Sequence, residues 1–257
     1  MKSSRQIVLG GIGVILAAAG WQLAALGPLA DSPLPSATQT LSALAGMAPT
    51  EKLWEPLGAT VLMAVGGLVI ATVLGVIIGL VVATSPLFRY ATRIPIESLK
   101  PIPPIVVLPI IALVMGPTTQ MGMVLIVLGL TLGIVMQTAA GVRDVDPVAI
   151  DTAYSFGMSR LEVLWRVILP SALAHIGTAV RIAAPMALVV AVVAGLLGGA
   201  PGLGRSILAS QISNNQPDLF AFVLVLGIVG LVFIGISQFA ERRLLHWHAA
   251  YRAGETA

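Results

Sequence analysis

One stretch of this chain mixes acids and bases. Asp144, Asp146, Asp151, Arg160, Glu162 and Arg166 lie in and just before the stretch DTAYSFGMSRLEVLWRVILP at 151–170, between long apolar runs. Acids and bases mixed in this way can pair with one another or meet a partner surface, but they do not make a reaction centre. There is no cysteine, hence no disulfide and no thiolate metal site. His175, His246 and His248 are a poor metal set, and His175 reads as a lone residue at a membrane interface beside Pro170. A phosphate-binding loop needs G-x-x-x-x-G-K-[ST]. The lysines are Lys2, Lys52 and Lys100, and none follows a glycine. The chain therefore holds no nucleotide site of that type, and energy for any active process must come from a partner or an ion gradient. Paired catalytic Asp, or a Ser–His pair of an intramembrane hydrolase, is also missing.

The elements that position this stretch are set by the solvent. Hydrophobic residues make up 57% of the chain and charged residues 10%, against roughly 25% charged in a soluble domain. Mean hydropathy is +0.99. The apolar runs are long enough to cross a bilayer, which takes about 20 residues. The net charge of +3 sits in loop Lys and Arg and does not imply a nucleic-acid partner. An all-α, polytopic membrane protein of six spans is expected, as one transmembrane domain over 1–257. The spans are Ile7–Leu26, Leu57–Thr84, Ile94–Met115, Gln120–Ala140, Ile176–Leu197 and Leu219–Ala240, so the core spans cover 57–240. The first is longer than the apolar region of a signal peptide and is read as a retained helix. The Pro- and Ser-rich segment after it is a loop with room for a short helix after Ser36. The Gly-rich segment GGAPGLGRSILASQISNNQPD is read as a loop.

Basic loops stay cytoplasmic. With the N-terminus inside, Lys2, Arg5, Arg89, Arg93, Arg143, Arg160, Arg166, Arg242, Arg243 and Arg252 fall inside, and only Lys52 and Arg205 outside. Both termini and the 142–170 stretch are then cytoplasmic. Gly67, Ala71, Gly75 and Gly79 repeat every four residues, a smooth ridge on which helices approach closely in lipid. Gly129 with Gly133, and Gly195 with Gly199, read the same way. In KPIPPIVVLP, Pro101, Pro103, Pro104 and Pro109 interrupt a helix start. Broken backbone at membrane depth needs protein or a water-filled cavity around it, so this start is expected to be buried. It is either an interfacial entry or a wall of a substrate path. Arg181 lies near the cytoplasmic end of its span, where a long side chain can snorkel to the interface.

Within 142–170, DPVAIDTAYSFG reads as a helix ended by Gly157 in a positive-φ turn. Ser159 then caps a second helix, with Glu162 at the capping-box position. Leu161, Leu164, Trp165 and Ile168 give that helix an apolar stripe, and Pro170 is expected to stop it. The product is a compact cytoplasmic knob that needs a surface to pack on.

This segment resembles the signature of binding-protein-dependent ABC importer permeases: Glu-Ala-Ala, three residues, Gly, nine residues, Ile, one residue, Leu-Pro. Here Asp151-Thr152-Ala153 is followed by Gly157, Val167 and Leu169-Pro170 at that spacing, with Asp151, Thr152 and Val167 as conservative departures. LKPIPPIVVLPIIALVMG, the long second span, VRI in the fifth and PGLG after it look like the nitrate/sulfonate/taurine branch over roughly residues 50–250.

The resemblance implies a type I permease in the bacterial cytoplasmic (inner) membrane. It would form the path for a small solute of the sulfonate, taurine or nitrate kind. Its partners would be a second permease subunit, read as a homodimer, two ATP-binding subunits and a periplasmic or lipid-anchored substrate-binding protein. ATP and Mg would be held by the ATPase, with no cofactor or metal in this chain and no enzymatic activity of its own. Asp151, Thr152, Ala153, Tyr154, Phe156, Gly157, Ser159, Arg160, Leu161, Leu169 and Pro170 would couple to the ATPase. Pro101, Pro103, Pro104, Arg181 and Gly195 are the candidates for the path. The branch often carries a Glu where Gly195 stands, which leaves the substrate open. A secondary transporter without an ATPase is the alternative, but it would usually show intramembrane acids or two broken helices.

Overall fold

The structure, a computed structural model, describes the backbone of residues 2–244 and the side chains of residues 8–243. The side chains of Lys2 and Arg5, and the basic tail with His246, His248 and Arg252, lie outside the described residues. Among the described residues the regular structure is all helix, without strands. The helices are α1 (Lys2–Leu26), α2 (Ala37–Met47), α3 (Glu51–Thr84), α4 (Pro86–Leu99), α5 (Pro104–Met115), α6 (Thr119–Arg143), α7 (Pro147–Ser155), α8 (Arg160–Val163), α9 (Leu169–Gly198), α10 (Leu203–Ile212) and α11 (Gln216–Leu244). Five helical stretches are long and apolar enough to cross a membrane, and the pair α4–α5 makes a sixth if counted as one bent span.

The third span is the main correction to the sequence reading. It is not one helix from Ile94 to Met115. α4 and α5 meet at 91° across Pro101–Pro103. Proline cannot donate to the preceding turn and disfavours helical backbone in the residue before it; Pro103, which precedes Pro104, is extended at ψ 133°, and the helix restarts only with Pro104 in the first turn of α5. α5 has 12 residues and rises about 18 Å, short of the ~30 Å hydrocarbon core. The break is not buried within the single chain: Pro101 and Pro103 are exposed, and Pro104 is half-buried against Gly129 of α6.

α3, α6 and α9 form the centre. The glycine ridge of α3 makes the α3–α6 approach possible. A Cβ on Gly67, Gly75 or Gly79 would lie 2.6–2.7 Å from Ile126, Ile134 or Thr138. Met63, Met121, Leu125 and Ile126 fill the space beside it, each fully buried. Gly129 packs under Pro104, but Gly133 faces open space. Gly199 is not part of a ridge; it has φ +69° and ends α9.

The end of the bundle away from the 142–170 stretch is closed by α2 and α10. α2 starts as expected at Ser36, whose hydroxyl accepts from the Gln39 amide while the Gln39 side chain accepts from the Ser36 amide. α10 lies where a loop was expected. Its Leu203 and Ile207 pack on Phe222 of α11 and Leu53 of α3, and the Leu203 amide donates to the Thr60 hydroxyl at 2.8 Å. Lys52 pairs with Asp218, which also accepts from Asn215 at 2.8 Å. α1 is tied here through Trp21, which donates to the Pro35 carbonyl at 3.0 Å and stacks near Phe220; most of its length is exposed.

Candidate coupling surface

α7 begins on Asp146, whose carboxylate accepts from the Val148 amide at 2.9 Å, with Pro147 in the first turn. It ends in a paired closure. The Met158 amide donates to the Ala153 carbonyl at 3.1 Å and the Gly157 amide to the Tyr154 carbonyl at 2.9 Å, the Schellman arrangement that requires a left-handed residue. Gly157 supplies it with φ +80°. Ser159 then caps α8. Its hydroxyl accepts from the Glu162 amide at 3.3 Å, and its own amide donates to the Glu162 carboxylate at 2.9 Å. Turn and capping box are those read from the sequence.

Two features of the knob differ from the expectation. Pro170 does not stop the helix. Residues 164–168 form one π turn in which the Leu169 amide donates to the Leu164 carbonyl, five residues back. A wider turn just before the proline leaves room for its ring and absorbs its missing donor. Arg160–Gly198 therefore runs as one helical stretch of 39 residues, and the knob is rigidly continuous with a central membrane helix. The apolar stripe is also shared differently. Val163, outside the stripe, is fully buried, Leu164 and Ile168 are half-buried, and Leu161 and Trp165 are exposed.

Asp151 to Leu161 are brought together on one projection. Ala153 is buried within it, Phe156 stands out at 85% exposure, and Leu161 is 64% exposed. Tyr154 turns partly inward and lines a cavity behind the knob. Leu169 and Pro170 lie apart from the tip, half-buried at the root of α9. That root is fastened twice. His175 is not alone: its Nε2 lies 3.0 Å from the Asp144 carboxylate, and Gly141 lets α6 come close beside its ring. Arg181 does not simply snorkel. It lies 3.0 Å from the Glu241 carboxylate of α11, which also accepts from the Thr178 hydroxyl at 3.2 Å. Glu241 is buried, so this pair locks α11 to α9.

The residues assigned to a path are not brought to one place. Pro101 and Pro103 stand at the α4–α5 corner, Arg181 faces α11, and Gly195 is buried where α9 crosses α10. The sequence reading missed an open cavity of about 460 Å³ between α6 and α9, lined by Gly133, Met136, Gln137, Ile182 and Met186, with Arg143 at one end. The signal available for it was Gln137, an amide within an otherwise apolar run. Among the described residues no cluster of His, Asp or Glu could hold a metal ion.

Residues 71–246 match the family described as binding-protein-dependent transport system inner membrane component. The chain is 31% identical over 252 residues to the taurine transport system permease protein TauC of Escherichia coli (strain K12), covering 95% of this chain and 91% of that one. It is 26% identical over 232 residues to the putative aliphatic sulfonates transport permease protein SsuC of Bacillus subtilis (strain 168), covering 90% and 84%. Its fold matches a chain of the MetNI methionine ABC transporter in an inward-facing conformation, with a TM-score of 0.63 at 20% identity over 72% of this chain and 93% of that one.

Proposed function

This chain belongs to the family of binding-protein-dependent transport system inner membrane components, the permease subunits of ABC importers, and we propose that two copies of it enclose an import path driven by separate ATPase subunits. The observation that carries the coupling part of this reading is the knob. It is an exposed apolar tip set by a glycine turn on a helix continuous with the bundle centre. A movement imposed on Leu161 reaches α9 through continuous helix, and one imposed on Phe156 reaches it through the Gly157 turn. Residues 1–257 act as one permease domain in a bacterial inner membrane, with both termini on the side of the knob. The path runs along the open α6–α9 cavity, where Gln137 and Arg143 are the polar groups among the lining residues. A binding protein delivers the solute to the end formed by α2 and α10. The names of the relatives favour a small sulfonate or a related anion, and an arginine at the mouth of the cavity suits that charge.

Reconstitution in liposomes with the cognate ATPase and binding protein tests the function. Uptake of taurine, an alkanesulfonate or nitrate is expected only with ATP and all three components. Uptake that persists without the ATPase and collapses with the ion gradient would replace this reading by a secondary transporter.

Topology has its own check. Ser42 of α2, Ser213 after α10 and Ser155 of α7 are exposed, and the chain has no cysteine. Single cysteines at Ser42 and Ser213 are expected to react with an impermeant reagent added outside intact cells, and one at Ser155 only after lysis. The opposite pattern would invert the membrane orientation and remove the ATPase contact.

Docking is tested by unequal truncation. Apolar and aromatic anchors dominate interfaces, and rim charges contribute little. Phe156→Ala is expected to weaken ATPase binding by about 2 kcal/mol or more. Tyr154→Ala should do less, because its ring is partly engaged with the cavity. Glu162→Ala should leave ATPase binding nearly unchanged and loosen only the start of α8 through the lost capping-box bond. If Phe156→Ala lowers the permease's own stability and leaves ATPase affinity unchanged, the knob is a fold element and not a docking surface.

A further inference from the structure

Behind the knob lies a second cavity, of about 1040 Å³, which shares Arg143 with the α6–α9 cavity and Tyr154, Arg160 and Leu161 with the knob. Its walls are the end of α3, the start of α4, the end of α6 and the inner side of the knob. Three arginines line it, Arg89, Arg143 and Arg160, and no carboxylate does among the described residues. The Arg89 guanidinium donates to the Ala83 carbonyl at 2.7 Å, which holds it at the last turn of a membrane helix. The other wall is apolar: Ala83, Leu164 and Ile168. Positive charge on one side and hydrocarbon on the other, at the end of a spanning helix, is the lining of an amphiphile's headgroup pocket. α4 adds to this. It has no buried residue, lies at 91° to α5, and exposes Leu87 and Ile94 along with Arg89 and Arg93. That composition suits a helix lying in the membrane interface. Three like charges facing one cavity repel one another. A bound anion would relieve that repulsion, and Arg guanidinium matches phosphate oxygens in bidentate geometry.

We propose that this cavity binds a phosphate-type oxyanion, and that the headgroup of an anionic phospholipid, from the leaflet next to the knob, presents it. Basic pockets between membrane helices bind such headgroups. A headgroup held here sits between the end of α3 and the knob, so it would tie the two together. The proposal goes beyond the import function and does not depend on which solute is carried.

The full-length chain in nanodiscs of phosphatidylcholine mixed with phosphatidylglycerol is released for native mass spectrometry. Phosphatidylglycerol is expected to be retained in preference to phosphatidylcholine. Arg89→Gln, Arg143→Gln and Arg160→Gln should each lower that preference by about five-fold. Arg205→Gln, on α10 at the other end of the bundle, should leave it unchanged. Arg160 lies on the exposed knob, so its variant keeps the test valid if the other two fold poorly. In phosphatidylcholine alone, inorganic phosphate is titrated while thermal unfolding is followed. Stabilisation by phosphate that needs the same arginines, without phosphatidylglycerol retention, assigns the site to a soluble oxyanion instead of a lipid. Equal retention of both lipids together with no phosphate effect, or effects untouched by all three substitutions, overturns the proposal.

Discussion

Gly157→Val is expected to reduce ATP-driven uptake more than about ten-fold while leaving the chain inserted and its bundle intact. The reason lies in the backbone alone. Gly157 has φ +80°, and a Cβ built on it meets nothing within 4 Å. Crowding is therefore not the issue. A left-handed residue other than glycine costs about 1–2 kcal/mol, and a β-branched one is worse placed still. The knob is exposed and short, so it has little packing with which to hold that strain. It relieves it by giving up the Met158–Ala153 and Gly157–Tyr154 bonds. Phe156 and Leu161, which sit on either side of the turn, then lose their mutual orientation. Loss of one anchor worth about 2 kcal/mol corresponds to roughly thirty-fold in ATPase affinity. The series orders the effect: Gly157→Asn mildest, because asparagine tolerates this conformation, Gly157→Ala intermediate, Gly157→Val most severe. Uptake, ATPase co-purification and membrane abundance measured on the same three variants decide it. A valine variant that transports like the parent chain would show that the positive-φ turn is not needed.

This turn was legible in the sequence because its causes are local. A glycine at the end of one short helix and Ser159 three residues before Glu162 specify geometry within a few residues, and the caps formed as read. The glycine ridge of α3 was legible for a similar reason, since its period matches the helix repeat. What failed was where distant groups or rare backbone decided. Pro170 looked like a stop because proline usually is one, and one π turn undid that. Ile94–Met115 had the hydropathy of a span, but hydropathy does not register a corner made by three prolines. α10 is flanked by Gly, Pro and Asn and read as loop; it is helical because Leu203 and Ile207 have Phe222 and Leu53 to pack against. The pairs Arg181–Glu241 and Asp144–His175 join residues far apart in sequence, and no periodicity signals them. Gly195 stood out as a missing acid, whereas the fold gives it a packing reason.

That packing reason carries the largest expected loss of stability. Gly204→Ala should destabilise the chain by about 3 kcal/mol or more, at the upper end of what overpacking costs. A Cβ on Gly204 would lie 2.1 Å from the Val192 carbonyl oxygen and 2.9 Å from the Leu196 amide nitrogen. A Cβ on Gly195 would lie 2.9 Å from the Arg205 amide nitrogen and 3.0 Å from the Gly204 Cα. Every one of these neighbours is backbone, so no side chain can rotate away. α10 would have to withdraw from α9 by about 1 Å to restore an ordinary carbon–oxygen contact. Withdrawal stretches the bond from the Leu203 amide to the Thr60 hydroxyl and opens the space that Leu203 now fills completely. Gly195→Glu is expected to fail in the same way, since its side chain must pass the α10 backbone before it could reach any path. The Gly195–Gly204 crossing itself therefore leaves no room for an acidic side chain at this position. Gly133→Ala is the matched control. It lies in α6 with nothing within 4 Å of its Cβ, and should be neutral or stabilising by up to about 1 kcal/mol from helix propensity. Thermal unfolding of the three variants in one detergent separates the cases. If Gly204→Ala melts with the parent chain, α9 and α10 do not cross as closely as described, and Gly195 returns to consideration as a path residue.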